Sequence, residues 1–413
     1  MLRCRPILWL PMALPVGVAT GFVSVAITNA LARAGLSESV TGDIVATFFL
    51  ALTFGVLWGP AIDSTFSRKL WVVFGVLLTT GGLFTLTMLP STLAGAPTLR
   101  VIAFLTGTGA IIVGLASKGI AAYVFPMDKR ALAGAWYAFG NLGASSVAGA
   151  LGVSVLASTL SRSLVASAVA ASVLVTLVAV VWLPSEPLQP VNGATRRMAV
   201  SLSDIWTMLR RAKGKVALAL CILPFGTGAA INLMPSVAPH WNAGPGVVSA
   251  ASAISAPVGA LAALAGGWIC LRLGAWKAYI LLGIVLAGTS LAALPLPHSA
   301  LSFAITYNVL ALAQGAIFTA FYAVVFDTAE QGAASSKMGV FLSLANLPYS
   351  YIAVIEGRAV DRWGISGLLL SDGFLGFAGL ALVVWLAHRV GLVLWRGAVA
   401  VSAPMGDGGV AKS

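Results

Sequence analysis

Long apolar stretches recur along this sequence, and they constrain the fold more than any other feature. Residues 164–183 are one example, in which only Ser167, Ser172 and Thr176 interrupt a run of apolar side chains. A helix needs about 20 apolar residues to cross a bilayer. A membrane-spanning β-strand would instead alternate apolar and polar residues over about ten positions. The pattern therefore predicts α-helical membrane spans.

The composition supports this prediction and excludes other classes of protein. Of the 413 residues, 59% are hydrophobic and 9% are charged, whereas a soluble domain carries about 25% charged residues. A soluble enzyme, a disordered chain and a fibrous repeat are therefore excluded. The three cysteines, Cys4, Cys221 and Cys270, are far apart in the sequence and predict neither a disulfide framework nor a metal site.

Apolar runs and the polar segments between them predict an all-α integral membrane protein of twelve spans, in two pseudo-symmetric halves of six. The predicted spans are 8–32, 40–62, 70–89, 98–125, 131–158, 163–183, 216–238, 247–271, 274–294, 299–326, 336–357 and 366–388. The domains are then an N-terminal half (1–183), a linker (184–214), a C-terminal half (215–390) and a tail (391–413). Span 1 is too long for a signal peptide, so we expect it to remain uncleaved.

The linker has two possible structures. Its prolines at 184, 187 and 190 disfavour helix at its start. Further on, Ile205, Trp206 and Leu209 can share one face of a helix beside basic residues, which is typical of a helix lying in the membrane interface. An ordinary basic loop fits the same residues.

The distribution of basic residues predicts the orientation. If the N-terminus is cytoplasmic, 18 of the 24 Lys and Arg residues fall in cytoplasmic loops and tails. Cytoplasmic loops of membrane proteins are enriched in these residues. We therefore expect both termini and the linker to be cytoplasmic, in the cell membrane or in the inner membrane of a Gram-negative cell. This bias also accounts for the net charge of +12, so nucleic acid is not an expected partner.

The two halves carry matching motifs. Leu14-Pro15-Val16-Gly17 in span 1 matches Leu223-Pro224-Phe225-Gly226 in span 7, and Asn141-Leu142 in span 5 matches Asn346-Leu347 in span 11. The two pairs are 209 and 205 residues apart, which indicates a duplication. Proline removes a backbone donor and glycine weakens a helix, so spans 1 and 7 either leave carbonyls free toward a cavity or simply kink.

Six plus six spans with a long central linker resemble the major facilitator superfamily. The best local signature is Gly59 and Asp63 at the end of span 2, followed by Arg68 and Lys69. In that family the glycine allows close helix approach, and the charges form a cytoplasmic gating latch. Here Ser64 replaces an arginine of the family pattern, and Leu271 replaces the acid of the second copy, so the latch is expected on one side only.

A finer resemblance rests on Phe54–Asp63 and on spans 10 and 11. These segments are similar to muropeptide permeases, acetyl-coenzyme A transporters and siderophore permeases. Members of this branch often carry a lysine where Gly55 stands here.

The resemblance places spans 1, 4, 7 and 10 around a central cavity, with spans 2, 5, 8 and 11 beside them. Candidate substrate-binding residues are polar groups on these spans: Lys118, Gln314, Asn346, Asn141, Tyr307, Thr28 and Asn232. Lys118 is the one basic residue well inside a predicted span, because the others within spans lie no more than four residues from a span end. It either faces the cavity and attracts an anionic substrate, or snorkels to the membrane surface. The other polar groups could equally bond neighbouring helices.

Protons are a candidate coupling ion, but the sequence shows no obvious carrier for them. We place no carboxylate at mid-depth. Asp43 and Glu356 are the least exposed acids, and we expect them to form ion pairs near the outer boundary with Arg33 or Arg358.

Motifs for catalysis are missing from the sequence. It contains no nucleotide-binding Gly-x4-Gly-Lys-Ser/Thr segment and no His-Glu-x-x-His. We therefore expect no enzyme, no cofactor and no metal. The predicted function is that of a monomeric secondary transporter moving a small organic solute by alternating access, with an anionic muropeptide, coenzyme A ester or siderophore as candidate solutes. A drug-type exporter of the same superfamily and a passive channel are the alternatives.

Overall fold

The computed structural model describes residues 5–64, 66–124, 127–183, 203, 205–329 and 334–392, and helices make up most of them. Ten helical segments in this part of the chain are long and apolar enough to cross a membrane. One of them, Gly339–Arg389, contains two predicted spans that reverse direction at Gly364. Span 7 is not among the ten because it is broken into short pieces. The fold is therefore the predicted all-α bundle of twelve spans in two halves.

The first half contains spans 1–6. Span 1 consists of Pro6–Leu8, Trp9–Met12, Leu14–Gly21, Phe22–Ile27 and Thr28–Arg33; span 2 of Glu38–Thr53 and Gly55–Ser64; spans 3–6 of Arg68–Met88, Ala96–Val124, Met127–Leu156 and Arg162–Trp182.

The second half contains spans 7–12. Span 7 consists of Ala212–Ile222, Ala229–Asn232, Met234–Val237 and Ala238–Trp241; spans 8–10 of Pro245–Leu273, Ala275–Ala292 and Ala300–Ala329; span 11 of Ala334–Leu344 and the first part of Leu347–Arg389; span 12 of the part after Gly364.

We name the two ends of the bundle by their connections. The linker end includes Ser67, Leu183 and Gly274, and the distal end includes Gly35 and Gly364. Residues 184–202 of the linker, including its proline-rich start, lie outside the described residues.

The last part of the linker is helical at residues 205–210. Trp206 is exposed and carries the Arg210 guanidinium 4.9 Å from its ring centroid. Met208 is buried against a small apolar cluster of the second half that includes Phe341. This segment is therefore docked on the second half, with its aromatic residue facing outward.

The duplicated Leu-Pro-x-Gly motif has two different structures. In span 1, Gly17 is helical and sits directly against the backbone carbonyl of Asn141. In span 7, Gly226 and Gly228 have φ of 75° and 61°, a region that glycine adopts without steric cost. The first copy therefore serves close packing of spans 1 and 5, and the second copy breaks its helix.

The halves meet along two pairs of spans, 2 with 11 and 5 with 8. Gly42 of span 2 lies against the carbonyl of Ala353, and Gly357 of span 11 lies against the carbonyl of Glu38. Small residues are common where membrane helices approach closely, because packing rather than water exclusion holds them together. This contact positions the two sides of the central site.

Candidate functional site

Lys118 and Tyr137 form the wall that the first half presents to the interior. The Lys118 ammonium lies 5.0 Å from the Tyr137 ring centroid, within the range of a cation–π interaction. Gly114, one turn before Lys118, makes room for the ring, because a Cβ there would lie 3.0 Å from the Tyr137 hydroxyl. Lys118 remains exposed while Tyr137 is buried. The cation is thus directed toward span 5, on an aromatic support.

Tyr322 of span 10 faces this wall from the second half. Its hydroxyl is close enough to Tyr137 to interact with it electrostatically, and close enough to Tyr349 of span 11 to do the same. Tyr349 in turn stacks on Phe49 of span 2, with ring centroids 4.9 Å apart. A row of aromatic side chains therefore crosses the division between the halves. We call Lys118, Tyr137, Tyr322 and Tyr349 the central row.

The break in span 7 supplies backbone carbonyls to the second half's side of the row. The Thr227 carbonyl accepts hydrogen bonds from the Tyr349 hydroxyl at 2.9 Å and from Gln314 Nε2 at 3.0 Å. The Phe225 carbonyl accepts one from the Tyr279 hydroxyl at 3.0 Å. Side chains therefore bind carbonyls that the sequence left open as free acceptors, and Gln314 holds the break together.

Two other predicted ligands bond within their own helices. Asn346 Nδ2 donates to the carbonyls of Leu342 at 3.0 Å and Ser343 at 3.3 Å, at the point where span 11 is interrupted. Thr28 is buried and its hydroxyl donates to the Ser24 carbonyl at 2.9 Å. These contacts are the local bonding that polar residues of membrane helices commonly make.

Three further predicted ligands differ in whether their polar groups are free to bind a solute. Tyr307 is buried, stacks on Phe303 and lies within hydrogen-bonding range of Ser252, which places it among spans 8 and 10. Asn141 is half-buried, and no described residue hydrogen-bonds its side chain. Asn232, at the end of the span 7 break, also has no hydrogen-bond partner among the described residues. Asn141 follows Tyr137 by one helical turn and therefore shares its face.

The predicted gating residues occupy different environments. No described atom lies within 4 Å of where a Gly59 Cβ would be, so the expected close approach is not seen there; Gly55 instead lies against Ile111 and Ser343. Lys69 donates to the Leu183 carbonyl at the end of span 6. Arg68 packs against Gly119 of span 4. The side chain of Asp63 lies outside the described residues.

The distal end is closed by hydrogen bonds between the halves. The Asp361 carboxylate of span 11 accepts from the backbone N–H groups of Glu38 at 2.8 Å and Ser39 at 3.1 Å, at the start of span 2. Asn29 donates to the Pro235 carbonyl at 3.0 Å. Ser249 of span 8 donates to the Ala150 carbonyl of span 5 at 2.8 Å. These contacts join the two halves at the distal end.

The expected ion pairs of Asp43 and Glu356 were wrong. Asp43 pairs with Arg100 at 2.5 Å, rather than with Arg33. Glu356 is fully buried and has no ion pair among the described residues, because span 11 turns it inward toward Asp372 of span 12. No carboxylate was expected at mid-depth, yet Glu356 and Asp372 are both buried within the bundle.

Comparisons with known proteins agree with this architecture. The family model of the Major Facilitator Superfamily matches residues 10–351, and the chain belongs to this family. It is therefore a multi-pass membrane protein and a secondary transporter rather than an enzyme. A comparison with curated proteins gives no match.

Solved transporters share the fold at low sequence identity. A D-xylose–proton symporter is 14% identical with a TM-score of 0.71, covering 92% of this chain and 95% of that chain. The peptide transporter POT in complex with sulfate is 15% identical with a TM-score of 0.65, covering 95% of both chains. The nucleoside transporter NupG is 14% identical with a TM-score of 0.66, covering 94% of this chain and 99% of that one. At these identities the likeness shows the fold alone.

Proposed function

We propose that this transporter carries a small organic anion across the cell membrane and binds it at the central row. The observation that carries the proposal is the position of Lys118. It is an exposed cation within span 4, held over an aromatic ring, and no carboxylate of the described residues lies within ion-pair distance. A charge inside a membrane protein is costly unless it is paired, so an anionic solute is the natural partner.

The groups around Lys118 in the central row suit the uncharged part of such a solute. Tyr322 and Tyr349 offer aromatic faces, and Asn141 offers an amide on the same face of span 5 as Tyr137. The Gln314 amino group is bound to the Thr227 carbonyl, so this residue acts mainly by fixing the wall. A muropeptide, a coenzyme A ester and a siderophore combine acidic groups with polar amides, and the resemblance in spans 2, 10 and 11 favours this set.

The contacts between the halves support alternating access. The distal end is closed by bonds such as Asp361 to Glu38, which must break for the site to open there. We infer that the linker end is cytoplasmic, with both termini, because most basic residues lie on that side. The distal end, which is closed in this structure, would then face the outside of the cell. A single chain contains both halves, so a monomer is the expected transporting unit.

Counterflow in proteoliposomes tests the proposal. Vesicles containing the full chain are loaded with unlabelled acetyl-coenzyme A, a muropeptide or a ferric siderophore and diluted into the labelled form of the same compound. A carrier of one of these anions gives transient accumulation of label inside. Downhill equilibration without overshoot would indicate a channel, and exchange of lipophilic cations in place of all three anions would indicate a drug-type exporter.

A further inference from the structure

Two acidic side chains meet inside the second half, away from the central row. Glu356 of span 11 and Asp372 of span 12 lie within hydrogen-bonding range of each other. They are 0% and 7% exposed. Glu356 precedes the turn at Gly364 by eight residues and Asp372 follows it by eight, so each lies about 12 Å from the distal end at ~1.5 Å per residue.

The partners of the two acids are unequal. Asp372 accepts a hydrogen bond from the Ser290 hydroxyl at 2.5 Å and one from the Ala230 backbone N–H at 3.5 Å. Neither oxygen of Glu356 receives a hydrogen bond from a described donor. Two carboxylates have no hydrogen to share, so a bond between them requires that one of them carries a proton.

Among the described residues around the pair, no buried basic side chain compensates its charge. Neither acid forms an ion pair with a basic residue of the described chain. The elements packed around the pair carry few other titratable or charged groups. On span 11 these are Tyr349, Arg358, Asp361 and Arg362, of which the two arginines are exposed; on span 2 they are Glu38 and Asp43. Span 9 carries Tyr279 and, at its linker end, Lys277, and the span 7 break carries no charged group. Of these, Tyr349 is near enough to Asp372 to interact with it. Two buried anions in contact would be strongly unfavourable here.

The pair also touches two parts of the molecule that must move during transport. Ala230, which binds Asp372, belongs to the broken segment of span 7 whose Thr227 carbonyl holds Gln314 and Tyr349. Gly357, next to Glu356, lies against the carbonyl of Glu38 in the other half. Gain or loss of a proton by the pair can therefore alter both the solute site and the contact between the halves.

We propose that Glu356 and Asp372 form a proton-binding site that is separate from the solute site and links proton release to the opening of the distal end. One proton is held between an oxygen of Glu356 and an oxygen of Asp372. Its release to water leaves two carboxylates, whose repulsion displaces spans 11 and 12 and weakens the contacts at Ala230 and Gly357. The link to transport rests on the proposed function, whereas proton binding does not.

Infrared spectroscopy of the full chain in lipid nanodiscs tests proton binding without any solute. The wild type at neutral pH should show the C=O stretching band of a protonated carboxylic acid. Glu356→Gln should remove the band, because the new amide donates to Asp372 and leaves it ionised. Asp43→Asn, which changes an acid of similar depth that pairs with Arg100, should leave the band in place. A wild type without the band, or a band unchanged in Glu356→Gln, would overturn the proposal.

A distance measurement tests the link to conformation, again without solute. Spin labels at Leu93→Cys and Leu301→Cys, which are exposed at the distal end of opposite halves, report on its opening. Cys4 and Cys270 are replaced, and Cys221 is buried. The wild type and Asp43→Asn should change their distance distribution with pH, whereas Glu356→Gln should lose this change and keep the closed distance. An equal pH response in Glu356→Gln, or a response to Na⁺ at constant pH in place of one to protons, would overturn the proposal.

Discussion

Asp361 of one half caps the helix that begins at Glu38 in the other half. Its carboxylate accepts hydrogen bonds from the N–H groups of Glu38 and Ser39, which have no partner within their own helix. Negative charge is also favoured at this end of a helix. The same bond therefore satisfies a helix terminus and closes the distal end, so closure and local helix structure depend on one another.

Removing the cap should favour opening of the distal end. A helix N-cap contributes about 0.5–2 kcal/mol, so Asp361→Ala should shift the closed-to-open ratio by roughly 2- to 30-fold. The distance between spin labels at positions 93 and 301 measures this ratio directly. Arg362→Ala, one residue further along and exposed, is the control and should have little effect. Unchanged distances in Asp361→Ala would show that the cap does not keep the distal end closed.

Removing the hydroxyl of Tyr349 should mainly lower stability, whereas removing that of Tyr322 should mainly lower solute affinity. Tyr349→Phe removes the hydroxyl that donates to the Thr227 carbonyl and should lower the free energy of unfolding by about 0.5–1.5 kcal/mol. Tyr322→Phe removes a hydroxyl that has no hydrogen-bond partner among the described residues, so stability should stay within experimental error while solute affinity falls. Thermal unfolding in detergent checks the first effect, and binding of the exchanged anion checks the second. A loss of stability in Tyr322→Phe without a loss of solute affinity would show that the solute binds elsewhere.

One glycine of span 1 and one of span 5 give a matched test of helix packing. A Cβ on Gly21 would overlap the carbonyl oxygen of Ser145, whereas a Cβ on Gly143 would meet open space. Gly21→Ala should therefore destabilise the protein by about 1–3 kcal/mol through overpacking. Gly143→Ala should be neutral or stabilising by up to about 1 kcal/mol, because alanine favours helix. Similar thermal stability of the two variants would contradict this packing.

The orientation can be tested with thiol labelling of intact cells. A cysteine in place of Thr195, in the linker, should react with a membrane-impermeant reagent only in inverted vesicles. A cysteine in place of Leu93 should react from outside the cell. Labelling of position 195 in intact cells would reverse the assignment of the termini to the cytoplasm.

The sequence predicted the spans well because each one depends on local apolar length alone. All twelve predicted spans correspond to helices or broken helices near the expected residues. The matching Leu-Pro-x-Gly motifs were less informative, because packing against neighbouring spans decides whether each motif stays helical. Gly17 is held in a helix against span 5, while Gly226 is turned to positive φ beside Tyr279.

The candidate site was predicted less completely, because it depends on which side chains face one another. Lys118 could be identified from its position inside an apolar run. Tyr322 and Tyr349 were missed, although Tyr349 follows the candidate Asn346 by only three residues in span 11. The Glu356–Asp372 pair could not be found from spacing, since the two residues meet only because the chain reverses at Gly364.

The most direct test of the account is the affinity of Lys118 variants for the anion that the transporter exchanges. A hydrogen bond to a charged group contributes about 1.5–3 kcal/mol. Lys118→Gln should therefore weaken binding by roughly 10- to 150-fold, and Lys118→Arg should retain part of the affinity. Lys277→Gln, which removes a charge at the linker end of span 9, is the control and should bind like the wild type. Equal affinity of Lys118→Gln and the wild type would contradict the assignment of the central row as an anion site.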